Sequence, residues 1–401
     1  MTIKINIVIQ ASSRSWSGGQ DLCMNKMGSG TVLSKTLDAI SSGFSFDVEG
    51  VYLIAPEFDH GGMDFLLEKF PYLKISYSHD SSPYLRMLQI AQDMGNDDLI
   101  LRINGINFCV DIDAANEFVD LGKSHSYDCI RFPDDFPALF SCDLYSVNGL
   151  RRMQAELGGV DAIYHVHPKY YMGMTEGYSC AIYKPKLHKY TDSYLSSVRA
   201  LSADCMHAKR IDVDGSKSIK SGDTITFHYE LAAKYIGQHD VVLDIACGAG
   251  FGSHILAARS KKVVGVDLDP EVIDAAKISF SSESADFMVC DALNLPFIQE
   301  FDAVIAFEII EHIPPDEFLR QIDKALKTNG RLLISTPQNS LGKIPTTPDH
   351  TREYSLAELR NIVEKYFDVE EVIGIKQGCI YYENDPSGSN TFLIAKKKLF
   401  S

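Results

Sequence analysis

The first half of the chain alternates short apolar runs with stretches of helical period. Ile5–Gln10, Val48–Ile54, Leu73–Ser76, Leu99–Ile103 and Asp128–Phe132 are runs bounded by turn residues. Patterns near Val32–Ile40, Asp64–Lys69 and Tyr84–Met94 repeat their apolar positions at helical spacing. Strands alternating with helices at this spacing predict a mostly parallel, doubly wound sheet over residues 1–183. Residues 184–221 lose this period. Segments such as KPKLHKYTDS and DVDGSKSIKSGD are polar and turn-rich, and read as a linker.

The pattern returns more sharply over residues 222–401. Phe227–Ile236 is amphipathic. VVLDIACGAGFG, from Val241, is a buried strand running into a glycine loop, and Ser253–Arg259 the helix after it. KKVVGVD ends at Asp267. Pro270–Phe280 follows, with proline suited to a first helical turn. Asp286–Cys290, the FDAVIAF run from Phe301 and RLLISTP predict further strands. Asp316–Lys327 predicts a helix stopped by Asn329–Gly330. Two last strands are expected near Val369–Gly374 and Thr391–Lys396.

At 401 residues the chain suits two domains, and 45% hydrophobic with 23% charged residues is the balance of a soluble globular protein. A net charge of −16 repels phosphate backbones and argues against a nucleic-acid partner. Lys396, Lys397 and Lys398 are the one compact basic run and read as a solvated strand end. No apolar stretch is long enough for a membrane span, and MTIKINIVIQ is too short for a leader, so a cytoplasmic chain is expected. The nine cysteines are scattered; Cys109, Cys129, Cys247 and Cys290 lie in or beside apolar runs, which predicts buried free thiols.

The candidate chemistry lies at strand ends of the second half. Gly248, Gly250 and Gly252 follow a strand and open a helix, where backbone can approach a ligand closely. Asp244 precedes the loop, where a carboxylate can orient it and accept from an amino group. Asp267 caps the next strand and suits two ribose hydroxyls. Asp291 caps the third and suits an adenine amino group. Carboxyl ends of successive strands are where open α/β sheets bind ligands.

DIACGAGFGS, VVGVDLDPE, CDALNLPF, FEIIEH, ALKTNGRLLISTP and HTREYSLAEL resemble, in order, the motifs of class I S-adenosylmethionine (SAM)-dependent methyltransferases, over about residues 222–400. The likeness is strongest to the branch acting on sugars and small molecules, including surface-polysaccharide biosynthesis; FHYELAAKYI resembles that branch's leading helix. The resemblance implies a Rossmann-like domain with S-adenosyl-L-methionine as cofactor. It implies that Asp244, Ala246, Cys247, Gly248 and Gly250 hold the methionine part, Asp267 and Leu268 the ribose, and Asp291 and Ala292 the adenine. Phe307 and Glu308 would flank the cofactor.

Methyl transfer requires an aligned acceptor and removal of its proton. Glu311 or His312, after the fourth strand, is the candidate base; His312 has the side-chain type for a hydroxyl or amine acceptor. His350, in TPDHTREYS, lies in a loop of the kind that closes over an acceptor, and Arg352 and Tyr354 there could bind phosphate or sugar hydroxyls. No acidic pair at metal-ligand spacing stands out, so no metal is expected.

The first half resembles the cytidylyltransferases that activate sugars with CTP, particularly the spore-coat polysaccharide type, over about residues 3–183. This implies a nucleotide-diphospho-sugar-transferase-like fold. In the family's loop, SSRSWSGGQDLCMNK leaves Arg14 and Lys26, and RINGIN puts Ile106 where the family has a magnesium-binding aspartate. Asp143 keeps a carboxylate where the family has a Glu-Val-Phe run. A degenerate, still ligand-binding domain is expected. His165 and His167 form a His-x-His pair which, on a strand, would share one face. The expected partner is a small-molecule or glycan substrate, a nucleotide-linked sugar among them, and a homo-oligomer is compatible with the sequence. The alternative is a bifunctional enzyme with CTP:sugar-phosphate cytidylyltransferase and methyltransferase activities, in which Asp111 and Asp143 serve the first.

Overall fold

The computed structural model describes residues 2–14, 20–157, 162–203, 205–206, 224–342 and 344–398. Part of the SSRSWSGGQ loop and the linker from residue 207 lie outside them. The chain forms two compact units, one of residues 1–133, 137–191 and 200–206 and one of residues 134–136, 192–199 and 207–401.

The first unit is built on β1 (Ile5–Gln10), β4 (Val48–Ala55), β5 (Leu73–Tyr77), β6 (Leu99–Asn104), β7 (Cys129–Arg131), β8 (Asp143–Ser146) and β9 (Cys180–Ile182), with a two-residue ladder of β2 (Lys26–Met27) and β3 (Gly30–Thr31) beside them. The sheet order is β5-β4-β1-β6-β8-β7-β9. The first four strands are parallel, as expected, but β8 runs antiparallel to both β6 and β7. The sheet is therefore mixed. Helices α1 (Val32–Ile40), α2 (Pro83–Ile90), α3 (Ile112–His125) and α4 (Val147–Leu157) accompany it. Tyr84, Met87 and Leu88 of α2 pack with Leu150 and Met153 of α4 on Val8, Ile54, Ile100 and Tyr145 of the sheet. The pattern near Asp64–Lys69 forms a short 3-10 turn, Asp64–Glu68.

His165 and His167 do not lie on a strand. His165 is in α5 (Ala162–Val166), and His167 precedes α6 (Pro168–Met174), whose proline favours a helix start at that point. The pair therefore has no common strand face.

In the second unit, β10 (Val241–Ile245), β11 (Lys262–Asp267), β12 (Ala285–Val289), β13 (Phe301–Phe307), β14 (Leu326–Pro337), β15 (Phe367–Ile375) and β16 (Asn390–Lys397) form one sheet in the order β12-β11-β10-β13-β14-β16-β15. The first five are parallel and β16 is antiparallel to both neighbours. After α7 (Asp192–Ser202), the remaining helices are α8 (Thr224–Ala232), α9 (Phe251–Ala257), α10 (Pro270–Phe280), α11 (Pro315–Ala325) and α12 (Leu356–Val363). Alternate residues of a strand face opposite sides. Val304 and Ala306 of β13 thus join Phe318, Leu319 and Ile322 of α11, while Ala303, Ile305 and Phe307 join Leu231 and Ala232 of α8. The sheet is the middle layer of three.

The chain leaves β10 for β11 on one side and later starts β13 on the other. This reversal opens a crevice at the carboxyl ends of β10 and β13, the usual ligand position in such sheets. Asn329–Gly330 does not stop α11. The helix ends at Ala325 and the chain turns at once into β14. Leu326 pairs with Phe301 and Arg331 with Ala303, so residues 327–330 bulge from the strand, with Asn329 left-handed at φ 68°. The terminal lysines are also less solvated than expected: Lys397 donates to the carbonyl of Leu326 at 3.0 Å and Lys398 to that of Glu364 at 2.6 Å. Among the described residues, no helix is long and apolar enough to cross a membrane.

Candidate functional site: the crevice at the carboxyl ends of β10 to β13

The loop after β10 bends sharply. Ala246, Gly248 and Gly250 have φ of 60°, 52° and 83°, the left-handed region that disfavours a side chain. Ala246 adopts it despite its methyl. The glycines serve different ends. A Cβ on Gly250 would come within 2.8 Å of Ala276 and Phe287, and one on Gly252 would strike the Tyr229 ring. Those two are packing positions. A Cβ on Gly248 would meet no protein atom within 4 Å, so this residue presents bare backbone to open space.

The loop is fastened to its neighbours. Cys247 N–H donates to the Val266 carbonyl at 3.0 Å, and Gly248 N–H to Asp267 Oδ2 at 3.0 Å. Asp267 Oδ1 accepts Asp269 N–H at 3.0 Å, so this half-buried carboxylate lies against the bare face of the loop. Leu268 beside it is 69% exposed.

Asp244 is fully buried. Its Oδ2 accepts Ser253 Oγ at 2.5 Å and its Oδ1 accepts Tyr229 Oη at 3.3 Å. Burial pushes its pKa up to about 7, against the opposing pull of these two hydroxyls. Asp291 is exposed and caps a turn, accepting Leu293 N–H at 2.9 Å, with Ala292 half-buried behind it. The three acidic strand ends thus share an edge but have different surroundings.

Across the crevice, Phe307 is buried against Tyr229 and Phe392. Glu308 is left-handed at φ 52° and accepts Ser335 Oγ at 3.0 Å and Asn390 Nδ2 at 3.1 Å. Ser335 in turn accepts from His228 Nδ1 at 3.0 Å; burial drives the His228 pKa down to about 4. Tyr229, Ser253, His228 and Ser335 hold the acidic groups in place, and none was singled out from the sequence. FHYEL marked the helix carrying two of them, but no spacing ties Ser253 or Ser335 to a carboxylate.

Glu311 is fully buried and accepts Thr336 Oγ1 at 2.8 Å through Oε2. Burial, and then Glu308, hold its carboxyl well above the usual range. His312 is exposed, with Nδ1 2.9 Å from the Asp349 carbonyl. His350 Nδ1 lies 2.7 Å from Glu353 Oε1, and the two imidazoles meet edge to face at 4.9 Å. The structure therefore joins the three candidate proton-handling residues in one cluster. Arg352 pairs with Glu358 at 2.8 Å, and Tyr354 is buried with its hydroxyl 3.3 Å from the Ile310 carbonyl, so both brace the loop.

In the first unit, Asp143 is buried between Arg102 at 3.2 Å and Lys169 at 3.3 Å. Burial alone would raise its pKa, but the two cations hold it below the ordinary carboxylate range. Burial, then Arg102 and Lys169, push His167 down to about 3. His165 Nδ1 lies 2.9 Å from Ser82 Oγ. Asp111 caps α3 and accepts Tyr190 Oη at 2.6 Å. Arg14 stacks on Phe58 at 5.1 Å.

Residues 243–334 match the family described as "Methyltransferase domain". A probable S-adenosylmethionine-dependent methyltransferase of Mycolicibacterium smegmatis is 30% identical over 162 residues, which are 39% of this chain and 62% of that protein. A ubiquinone biosynthesis O-methyltransferase of Xanthomonas oryzae pv. oryzae is 36% identical over 100 residues, 24% of this chain and 42% of that protein. The chain thus spans less than two-thirds of the length of these curated relatives. A solved SAM-dependent methyltransferase from Methanosarcina mazei aligns with 42% of this chain and 97% of its own, at 18% identity and a TM-score of 0.34. By the family match and the curated relatives, residues 243–334 carry a class I SAM-dependent methyltransferase domain, an enzyme domain whose cofactor is S-adenosyl-L-methionine.

Proposed function

We propose that the chain methylates a hydroxyl or amine of a sugar, a nucleotide-linked sugar or a glycan end. The observation that carries the reading is the bare backbone of Gly248 beside the Asp267 carboxylate, a cradle that a side chain would fill. Asp244, Ala246, Cys247, Gly248 and Gly250 would hold the methionine part of SAM, Asp267 and Leu268 the ribose, and Asp291 and Ala292 the adenine. Phe307 and Glu308 would flank it. Bound there, SAM supplies an electrophilic methyl group on a sulfonium.

The chain's own work is to orient the acceptor and take its proton. A carbonyl and a carboxylate only accept hydrogen bonds, so His312 and His350 each donate from Nδ1, and Nε2 is the nitrogen that takes a proton when the ring is neutral. Glu311 lies buried beside this pair, which favours His312 over Glu311 as the base. The acceptor class rests on the resemblance of the motifs to the sugar branch and of the first unit to sugar-nucleotide enzymes. In that unit, Ile106 in place of a magnesium-binding aspartate and Asp143 neutralised by Arg102 and Lys169 favour binding of a nucleotide or nucleotide sugar without CTP-dependent transfer.

The test is a SAM-consumption screen against nucleotide sugars, short glycans and phenols, read by mass gain of the acceptor. Methylated sugar is the expected product. Transfer to phenols alone would overturn the sugar reading. Failure to bind SAM in calorimetry would overturn the methyltransferase reading itself.

A further inference from the structure

The cluster formed by Glu311, His312 and His350 has more order than proton removal requires. One candidate ligand atom from each of the three lies within 4.8 Å of the others, a spacing that small side-chain rotations would close to the roughly 3–3.5 Å between donors of one tetrahedral ion. Each histidine is anchored through Nδ1, His312 to a backbone carbonyl and His350 to a carboxylate, which fixes both rings and makes Nε2 the nitrogen with the lone pair. Glu353 is itself held, accepting Asn339 Nδ2 at 2.8 Å on its other oxygen. Metal-binding histidines are supported in this way, by a carbonyl or carboxylate on the nitrogen away from the ion.

Glu311 supplies the second observation. Its side chain is fully buried, Oε2 is satisfied by Thr336, and Oε1 has no hydrogen-bond partner among the described residues. A buried carboxylate oxygen without a donor is costly, and a cation beside it removes that cost. Glu311 and His312 leave β13 on one strand-end turn. His350 comes from the loop before α12, which is fastened to that turn by Thr351 N–H donating to the Glu311 carbonyl at 2.9 Å.

We propose that Glu311, His312 and His350 bind one divalent transition-metal ion of the zinc class, through two imidazole nitrogens and one carboxylate oxygen. Two imidazoles with a carboxylate suit such an ion better than magnesium or calcium, which prefer oxygen donors alone. Three protein ligands leave a coordination position open, as in catalytic zinc sites. The role of the ion rests on the proposed methyl transfer: with both Nε2 atoms on the ion, the ion would replace His312 as the means of deprotonation, lowering the pKa of a bound acceptor hydroxyl so that its proton passes to solvent. Its binding does not depend on that reading.

The test uses Co2+ as probe on the full chain, after treatment with chelator, by calorimetry and visible absorption. One equivalent is expected, displaced by Zn2+, with ligand-field bands of low coordination number and without thiolate-to-cobalt charge transfer. His350→Ala and His312→Ala should each weaken binding by on the order of a hundredfold, and Glu353→Gln, which supports the His350 ring and is not itself a proposed ligand, by about tenfold. Each variant's melting curve and SAM affinity in the absence of metal, expected to match the parent's, separate loss of the ion from loss of the fold. The proposal is overturned if the parent takes up no stoichiometric ion, if charge transfer reports a cysteine site, or if variants with the parent's melting curve bind Co2+ as the parent does. A failed SAM titration with intact Co2+ binding would refute the methyl-transfer reading alone.

Discussion

Gly248 and Gly250 stand two residues apart, both left-handed, and the structure gives them opposite tasks. In Gly248→Ala the methyl meets no protein atom within 4 Å, so only backbone strain opposes it. A left-handed alanine costs about 1–2 kcal/mol, offset in part by about 0.4–1 kcal/mol from a less flexible unfolded chain. A net loss of about 1 kcal/mol lowers the melting temperature of a unit this size by about 2–4 °C. Gly250→Ala bears the same strain and also sets a methyl 2.8 Å from Ala276 and Phe287. Overpacking adds about 1–3 kcal/mol, for a fall of roughly 5–15 °C. SAM binding should respond in the reverse order. The methyl of Gly248→Ala stands where the cofactor would lie, and affinity should drop at least tenfold, or about 1.4 kcal/mol. The assay is scanning calorimetry with and without SAM, following the transition that SAM shifts upward, together with titration of SAM into each variant. Parental affinity in Gly248→Ala, or equal destabilisation by the two changes, would refute the division of roles.

Three further outcomes are expected. Asp267→Ala removes the acceptor for Gly248 N–H and Asp269 N–H as well as the group proposed for the ribose, and SAM affinity measured by calorimetry should fall on the order of a hundredfold, about 3 kcal/mol. Leu268→Ala deletes a side chain that is mostly exposed, so the melting temperature without SAM should hold while SAM binds about three- to tenfold more weakly; a change in melting temperature without a change in binding would count against it. Ser355→Ala breaks the reciprocal cap with Glu358 at the start of α12, and thermal melts should show a loss of about 1 kcal/mol.

Most of the second unit's architecture was legible because its central strands, β10 and β13, are buried on both faces and its helices on one, so period and run length separate them. Pro270–Phe280 matches its expected bounds because proline begins it and the apolar spacing carries it. β8 and β9 went unread. DLYS and CAI are too short to show a period, and pairing with β7 makes them strands. Asn329–Gly330 misled for a related reason: the dipeptide marks a turn, but tertiary pairing decides whether the turn ends a helix or bulges a strand. At the site, the glycine loop and three strand-end aspartates were visible as a linear motif. The meeting of His350 with Glu311 and His312 was not, because it depends on a loop folding back onto the end of β13, and no spacing encodes that.

The three aspartates looked equivalent in the sequence, and their surroundings now make them unequal. Asp291 is exposed, Asp267 is half-buried with two amides, and Asp244 has its pKa raised to about 7 by burial. In the unfolded chain Asp244 ionises near 3.8; in the folded chain it keeps its proton to about pH 7. The folded state therefore holds the extra proton between these values. The contribution of Asp244 to stability is fully present below about pH 4 and is lost as pH rises towards 7, on the order of 1.4 kcal/mol per unit. The stability of the parent relative to Asp244→Asn should fall over that window and level off above it. A cationic amino group bound against Asp244 reverses the preference and favours the carboxylate. SAM binding at pH 6 should then release close to one proton, seen as a buffer-dependent binding enthalpy, and at pH 8 almost none. Proton release that is absent at pH 6, or unchanged in Asp244→Asn, would mean that Asp244 only orients the loop through Ser253 and Tyr229 and that the amino group lies elsewhere.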